Sequence, residues 1–166
     1  MNPWNILVLC TGNSARSVLA ECTLNHLGAP RIRAYSAGSQ PTGRVNPQAI
    51  EQLTASGIAC DYVRSKSWDE FALPDAPQLD LVITVCASAA GEVCPVWRSA
   101  SATPPLRAHW GVDDPAHIEP ISARRDAFRI AHGILTRRIE AWLALPFETM
   151  PRAALQIELD RIGQLP

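Results

Sequence analysis

The chain has 166 residues, 47% of them hydrophobic and 19% charged, with a formal net charge of −1 at pH 7. That length predicts one domain with a sizeable core. The near-neutral charge carries no electrostatic footprint for nucleic acid, and no apolar run approaches the roughly 18 residues of a membrane span.

Asn5–Leu9 reads as a first strand. It ends at Cys10, and a small polar loop leads to a helix over Arg16–His26 with Val18, Leu19, Cys22 and Leu24 at helical spacing. Ile32–Ser36 alternates as a second strand, stopped by Gly38. Ser39–Val45 is a loop with Pro41 and Gly43. Pro47 opens a helix through Leu53 that ends near Gly57. Asp61–Val63 reads as a short strand, and Ser67 followed by Glu70 as a capped helical turn. Leu79–Val85 is a near-continuous apolar run, as expected of a parallel strand covered on both sides. Ser88–Val93 reads as a turn of helix, Trp97–Pro105 as loop, and Leu106–His109 as a last strand. A long helix runs from Ser122 to about Leu143, with Ile130, Ile134, Leu135, Ile139 and Trp142 on one face. Pro151–Ile162 is a final helix. The expected fold class is α/β: residues 1–166 as a single domain with an open, four-stranded parallel sheet, helices on both faces and right-handed crossovers, and residues 147–166 as a C-terminal helical extension. Sites in such sheets lie beyond the C-terminal ends of the strands, so Cys10 and Cys86 are expected to share a rim.

The stretch from Cys10 to Ser17 is an anion cradle by its chemistry. Backbone N–H groups of the small-residue loop Thr11, Gly12, Asn13, Ser14 and Ala15 converge on a concavity. The helix start adds unpaired donors and roughly half a positive charge. Arg16 adds a planar fork that matches a tetrahedral oxyanion. The same field favours a thiolate at Cys10, whose pKa is expected below the ordinary value of about 8.5. Cys86 and Cys94 flank a second small-residue segment, and the two are candidates for a thiol–disulfide relay with Cys10. An odd count of five cysteines, in no framework spacing and behind no export signal, points to a reducing cytoplasm and reactive thiols. Asp114 before Pro115 places a carboxylate on a loop, where it can act as general acid over an anion site. The four histidines have no ligand spacing, so no zinc site is expected, and no cofactor is implied.

Cys10-Thr11-Gly12-Asn13-Ser14-Ala15-Arg16-Ser17 is similar to the phosphate-binding loop of the low-molecular-weight protein tyrosine phosphatase superfamily. With Cys86, Cys94 and His109-Trp110-Gly111-Val112-Asp113-Asp114-Pro115, the chain resembles the superfamily's thiol-relay arsenate reductases over Asn5 to about Trp142. The resemblance implies a phosphatase-like loop after the first strand. It implies that arsenate (or phosphate or sulfate) sits on the N–H groups of residues 11–16 and is clamped by Arg16. Cys10 would attack arsenic, Asp114 would protonate the leaving hydroxide, and Ser17 would hydrogen-bond the Cys10 sulfur. Cys86 would then attack Cys10, Cys94 would attack Cys86, and an external reductant of the thioredoxin or glutaredoxin type would regenerate the thiols.

Departures from the family pattern carry expectations too. Some reductases of this branch bind potassium at residues matching Asn13, Glu21, Ser36 and an Asp; here Lys66 stands in place of the Asp, so no potassium requirement is expected. The Cys86–Cys94 segment is one residue longer than in some relatives. Cys22 is expected in the core, and Cys60 is assigned no role. Two other functions use the same loop. One is a phosphatase working through a Cys10 phosphoenzyme, which needs neither Cys86 nor Cys94. The other is a non-catalytic oxyanion sensor, which needs no Asp114.

Overall fold

The computed structural model describes residues 1–92, 95, 97, 99 and 103–166. Strand β1 (Trp4–Leu9) lies between β2 (Ile32–Ala37) and β3 (Leu81–Thr84), and β4 (Leu106–His109) lies beyond β3. The order is β2-β1-β3-β4, all parallel. Ile6, Leu7, Val8 and Leu9 are all 0% exposed, so both faces of β1 are covered, as its unbroken apolar run requires. Burying each such side chain stabilises the fold by roughly 1.5–3 kcal/mol. Leu9 pairs with Thr84 in the β1–β3 register, and Val85 N donates to Leu9 O at 3.0 Å. That register is what carries Cys10 and Cys86 to the same edge of the sheet.

The helices are α1 (Arg16–Gly28), α2 (Pro47–Ala55), α3 (Ala87–Gly91), α4 (Ile121–Leu143) and α5 (Arg152–Ile162). α1 packs against α4 and β2, α2 against α4, and α5 against β4 and α4. None is long and apolar enough, among the described residues, to cross a membrane. Asn46 caps α2 by accepting from Gln48 N at 2.9 Å, with Pro47 in the first turn.

Two local expectations are corrected, and the capped turn at Ser67 forms without its capping box. Asp61–Val63 is a turn rather than a strand: Asp61 is exposed and Tyr62 is 51% exposed, so pairing them would bury too little to offset the ordering cost. Ser67 caps a short 3-10 turn (Trp68–Ala72) through Asp69 N at 3.2 Å, while the Glu70 carboxylate pairs with Arg64 instead of closing the box. On α4, Ile130 is 51% exposed and the buried stripe is Phe128, Ala131, Leu135, Ile139 and Trp142. At 100° per residue Ile130 lies about 200° around the helix from Phe128. Two polar residues, His132 and Arg138, take buried positions on the same helix.

His132 ties three helices together. Its Nδ1 lies 3.1 Å from Gln52 Nε2 on α2, and its Nε2 lies 3.0 Å from Thr23 Oγ1 on α1. An amide nitrogen only donates, so Nδ1 accepts and Nε2 carries the proton. The Thr23 hydroxyl accepts it and gives its own proton to Leu19 O at 2.7 Å. The neutral ring is thus fully used, and burial pushes the imidazole below its ordinary value. Unfolding frees it to take up a proton near the model-peptide pKa of about 6.5. The folded state binds fewer protons, so this group's contribution to stability is intact above that pH and declines as pH falls toward the lower folded value. Denaturant midpoints at pH 7.5 and 5.5 should therefore differ more in the parent chain than in His132→Gln. An equal difference would exclude His132 as the source.

Candidate active site

The anion loop is shaped from behind. Cys10 N donates to Ala37 O at 3.2 Å, at the end of β2. Gly38 follows, and a Cβ there would stand 2.4 Å from Thr11 O and 2.7 Å from Cys10 O, so no side chain fits. Three bonds from the next loop consume carbonyls of the cradle: Gln40 N to Thr11 O at 3.0 Å, Thr42 N to Gly12 O at 3.0 Å, and Asn46 N to Ser14 O at 2.8 Å. A trans peptide points its C=O and the following N–H in opposite directions. The N–H groups of Gly12, Asn13 and Ala15 are therefore turned away from that loop, toward the cleft lined by residues 10–16, Thr42, Asn46, Cys86, Ser88, Asp114, Ala116 and His117.

Asn13 holds the tightest bend. Its φ of 44° is in the left-handed region, where asparagine is among the more tolerated side chains. It is 0% exposed and tied on both ends of its amide. Nδ2 donates to Ser17 Oγ and Ser36 Oγ, each at 2.9 Å, and Oδ1 accepts from Lys66 N at 2.9 Å. Ser17 is thus joined to Asn13. The expected hydroxyl-to-sulfur bond from Ser17 to Cys10 is not among the hydrogen bonds of the described residues. The influence of Ser17 on the loop runs through Asn13.

Arg16 and Asp114 meet over the cradle. Arg16 Nη1 donates to Val112 O at 3.0 Å, and Nη2 lies 3.6 Å from Asp114 Oδ2. Asp114 Oδ1 accepts from Ala116 N at 2.9 Å, an Asx turn across Pro115 that fixes the carboxylate's direction. His117 Nε2 stands 3.8 Å from Asp114 Oδ2. The Asp114 side chain is 40% exposed.

Cys86 opens α3 immediately beyond β3. Its Sγ accepts from Ala89 N at 3.4 Å and lies 3.7 Å from Thr11 Oγ1. Cys10 lines the same cleft, and both thiols are buried and unpaired by any disulfide. The expected lowering of Cys10 is corrected in direction. The neighbouring Cys86 sulfur and burial push the Cys10 thiol up, while Arg16 and the Gly12 N–H of the loop pull it down. The neighbouring Cys10 sulfur, the Ala89 N–H and Thr11 lower the Cys86 thiol to about 5 against the effect of burial. The anion field predicted from the loop is present, opposed by the second thiol. Cys94 lies outside the described residues. Cys22 is 0% exposed, as expected of a core residue, and Cys60 is half-buried.

Behind the loop, Glu21 and Lys66 form a buried pair, with Nζ 4.0 Å from Oε1. Burial pushes the Glu21 carboxyl up and the Lys66 ammonium down, and their attraction resists both. Ser36 donates to Glu21 twice, from N and from Oγ, each at 3.1 Å. These residues do not fit a bound potassium ion. The carboxylate already faces an ammonium and two donors, and Asn13 Oδ1 is engaged by Lys66 N.

The family "low molecular weight phosphotyrosine protein phosphatase" matches residues 5–151. The chain belongs to that family. An arsenate reductase of Bacillus licheniformis is 40% identical over 131 residues, covering 77% of this chain and 86% of the relative. An arsenate reductase of Halalkalibacterium halodurans is 37% identical over 143 residues, covering 86% and 96%. Among solved structures, an arsenate reductase in an oxidized state superposes with a TM-score of 0.66 at 26% identity, over 84% of this chain and 96% of that one.

Within this phosphatase-family site, the structure brings together every described residue singled out from the sequence except Ser17, which reaches the loop indirectly. The sequence reading missed Thr42 and Asn46. Their signal was the Pro41–Gly43 loop and the helix cap before Pro47, which mark a turn without revealing that it braces the cradle. It also missed Thr11 as a side-chain partner of Cys86, and Glu92, whose Oε1 accepts from Thr11 Oγ1 at 3.0 Å. No periodicity or motif encodes a contact across 81 residues.

Proposed function

We propose that this chain reduces arsenate to arsenite by a thiol relay. The Cys10 thiol passes its proton to an oxygen of the bound arsenate dianion, and its sulfur attacks arsenic(V) held on the loop N–H groups and Arg16. An As–S bond forms, an As–O bond breaks, and Asp114 gives the departing hydroxide a proton, so water leaves. The Cys86 thiolate then attacks the Cys10 sulfur. The S–S bond forms as the As–S bond breaks, its electron pair passes to arsenic, and arsenite departs. Cys94 as thiolate attacks Cys86, frees Cys10, and leaves a Cys86–Cys94 disulfide. Two electrons from an external dithiol of the thioredoxin type, or from glutaredoxin with a small thiol, restore the start. Such a cycle belongs in the reducing cytoplasm, because an oxidising compartment would trap the disulfide.

The observation that carries this reading is that two free thiols, Cys10 and Cys86, line one cleft with Arg16 and Asp114. A phosphatase needs no second thiol there, and a sensor needs no proton donor. The Ala89 N–H at 3.4 Å and the Thr11 hydroxyl at 3.7 Å remain beside the Cys86 sulfur once Cys10 carries arsenic, and they favour the thiolate, the attacking species in the second step. The ~40%-identical relatives named as arsenate reductases favour the same reading. Because arsenate and phosphate share shape and charge, slow hydrolysis of phosphomonoesters through a Cys10 phosphoenzyme is expected alongside it. The cleft has no phenylalanine, tyrosine or tryptophan among its lining residues to hold an aryl ring.

The test supplies arsenate with a thioredoxin-regenerating system and follows arsenite and reductant. The parent chain should turn over continuously. Cys94→Ser should yield one arsenite per molecule and stop. Unchanged steady-state turnover in that variant would remove Cys94 from the relay, and no arsenite from the parent chain would remove the reaction.

A further inference from the structure

The family match ends at residue 151, and α5 begins at Arg152. The helix packs on the stem of the Asp114 loop, the segment His109–Val112. Trp110, 1% exposed, donates from Nε1 to Leu159 O at 3.2 Å. Gly163, just past α5, lies so close that a Cβ there would stand 2.6 Å from His109 O. Arg138 of α4 closes the arrangement. It is 6% exposed, and its guanidinium spans two segments: Nε donates to Leu165 O at 3.0 Å and Nη1 to Gly111 O at 3.1 Å. Among the described residues it pairs with no carboxylate, so a costly buried charge serves two backbone carbonyls.

On its other side the stem is fastened to the sheet. Trp110 N donates to Thr84 O at 2.8 Å and Val112 N to Val85 O at 3.1 Å. Val112 O holds Arg16, and Asp114 follows two positions on. The stem is therefore clamped between the sheet and the C-terminal segment, and the carboxylate is carried at its free end.

The geometry points to Arg138 and α5 as a strut that sets the position of Asp114 over the anion loop, with Arg138 a positioning residue for proton delivery. The inference rests on the reading of Asp114 as proton donor given above. A donor misplaced by about an ångström loses a large part of its effect, since general acid catalysis is worth roughly 10²–10⁴-fold and depends on hydrogen-bond reach.

Two full-length variants test it, one releasing the strut and one pushing on it: Arg138→Met and Gly163→Ala. Each is measured as single-turnover arsenate reduction, with and without Asp114→Asn, and each is titrated with inorganic phosphate as competitor. Expected is a loss of about tenfold in rate against the parent. In the Asp114→Asn background the loss should be less than about twofold, because the two changes act on one group. Phosphate competition should weaken by much less than the rate, since the loop N–H groups lie outside the strut and only Arg16, held by Val112 O, shares the stem. An equal loss in both backgrounds, a loss of phosphate binding that matches the loss of rate, or no loss in a folded variant would each overturn the proposal. If Arg138→Met fails to fold, Gly163→Ala, which removes no hydrogen bond, decides alone. A parent chain inactive with arsenate would refute the proposed function instead, and so is distinguishable.

Discussion

Cys10→Ala should abolish arsenate reduction and any phosphomonoester hydrolysis together, by a factor of about 10³ or more, because both reactions need the same nucleophile. The same substitution has a second, separable consequence. The largest influence holding the Cys86 thiol near 5 is the neighbouring Cys10 thiol. With Cys10 gone, the N–H of Ala89 and the contacts with Thr11 remain, while burial still opposes the charge. The Cys86 midpoint should therefore climb toward the ordinary thiol value of about 8.5. Alkylation of Cys86 followed by mass spectrometry against pH reads this directly. A midpoint unmoved by Cys10→Ala would mean that the α3 donors alone hold the thiolate. Retained turnover would mean that the nucleophile is elsewhere. The sign matters for the mechanism. A Cys10 thiol pushed up by its neighbour must lose its proton on the way to attacking the bound oxyanion, and an oxygen of the dianion is an acceptor that leaves Cys86 free for the second step.

Lys66→Ala should be the most damaging substitution away from the reacting atoms. It leaves Glu21, 4% exposed, as a buried carboxylate with no cation 4 Å away. Breaking a buried pair from one side typically costs about 3–5 kcal/mol. Urea unfolding of the variant should show a loss of that order at neutral pH, with much of it recovered in the double variant Lys66→Ala, Glu21→Gln, where no charge is stranded. If the single variant is as stable as the parent, the pair is not ionised in the folded protein. In the parent chain, exchanging choline chloride for potassium chloride at equal ionic strength should change neither the unfolding midpoint nor the rate of arsenate reduction. A clear gain in either would mean that the ammonium does not do a metal ion's work behind the loop.

Much of the fold follows from local pattern. β4 begins and ends at the residues the sequence indicates, Leu106 and His109, and β1, β2 and α1 differ only by a residue or two at their ends. These elements bury runs whose period is visible along the chain. Asp61–Val63 failed as a strand because three residues alone do not state whether a neighbour will cover them. Ile130 failed as a core residue because an isoleucine signals apolarity, whereas its angle around α4 decides exposure. The buried His132 and Arg138 were illegible for the opposite reason. Polar residues carry no core signal, and their partners lie on other elements.

The sequence by itself determined the cradle: one cysteine, small residues with free N–H groups and an arginine at a helix start, in an order whose chemistry is local and needs no partner. It also determined that two strand ends would present Cys10 and Cys86 on one rim. Only the tertiary structure decided which groups stand close enough to bias the ionisation of those sulfurs, and that depends on the β1–β3 register and the placement of α3. It likewise decided that Lys66 would answer Glu21, and that the C-terminal helix would brace the stem of the Asp114 loop. Contacts between residues far apart in the chain arise from packing, and packing has no period for a sequence to display.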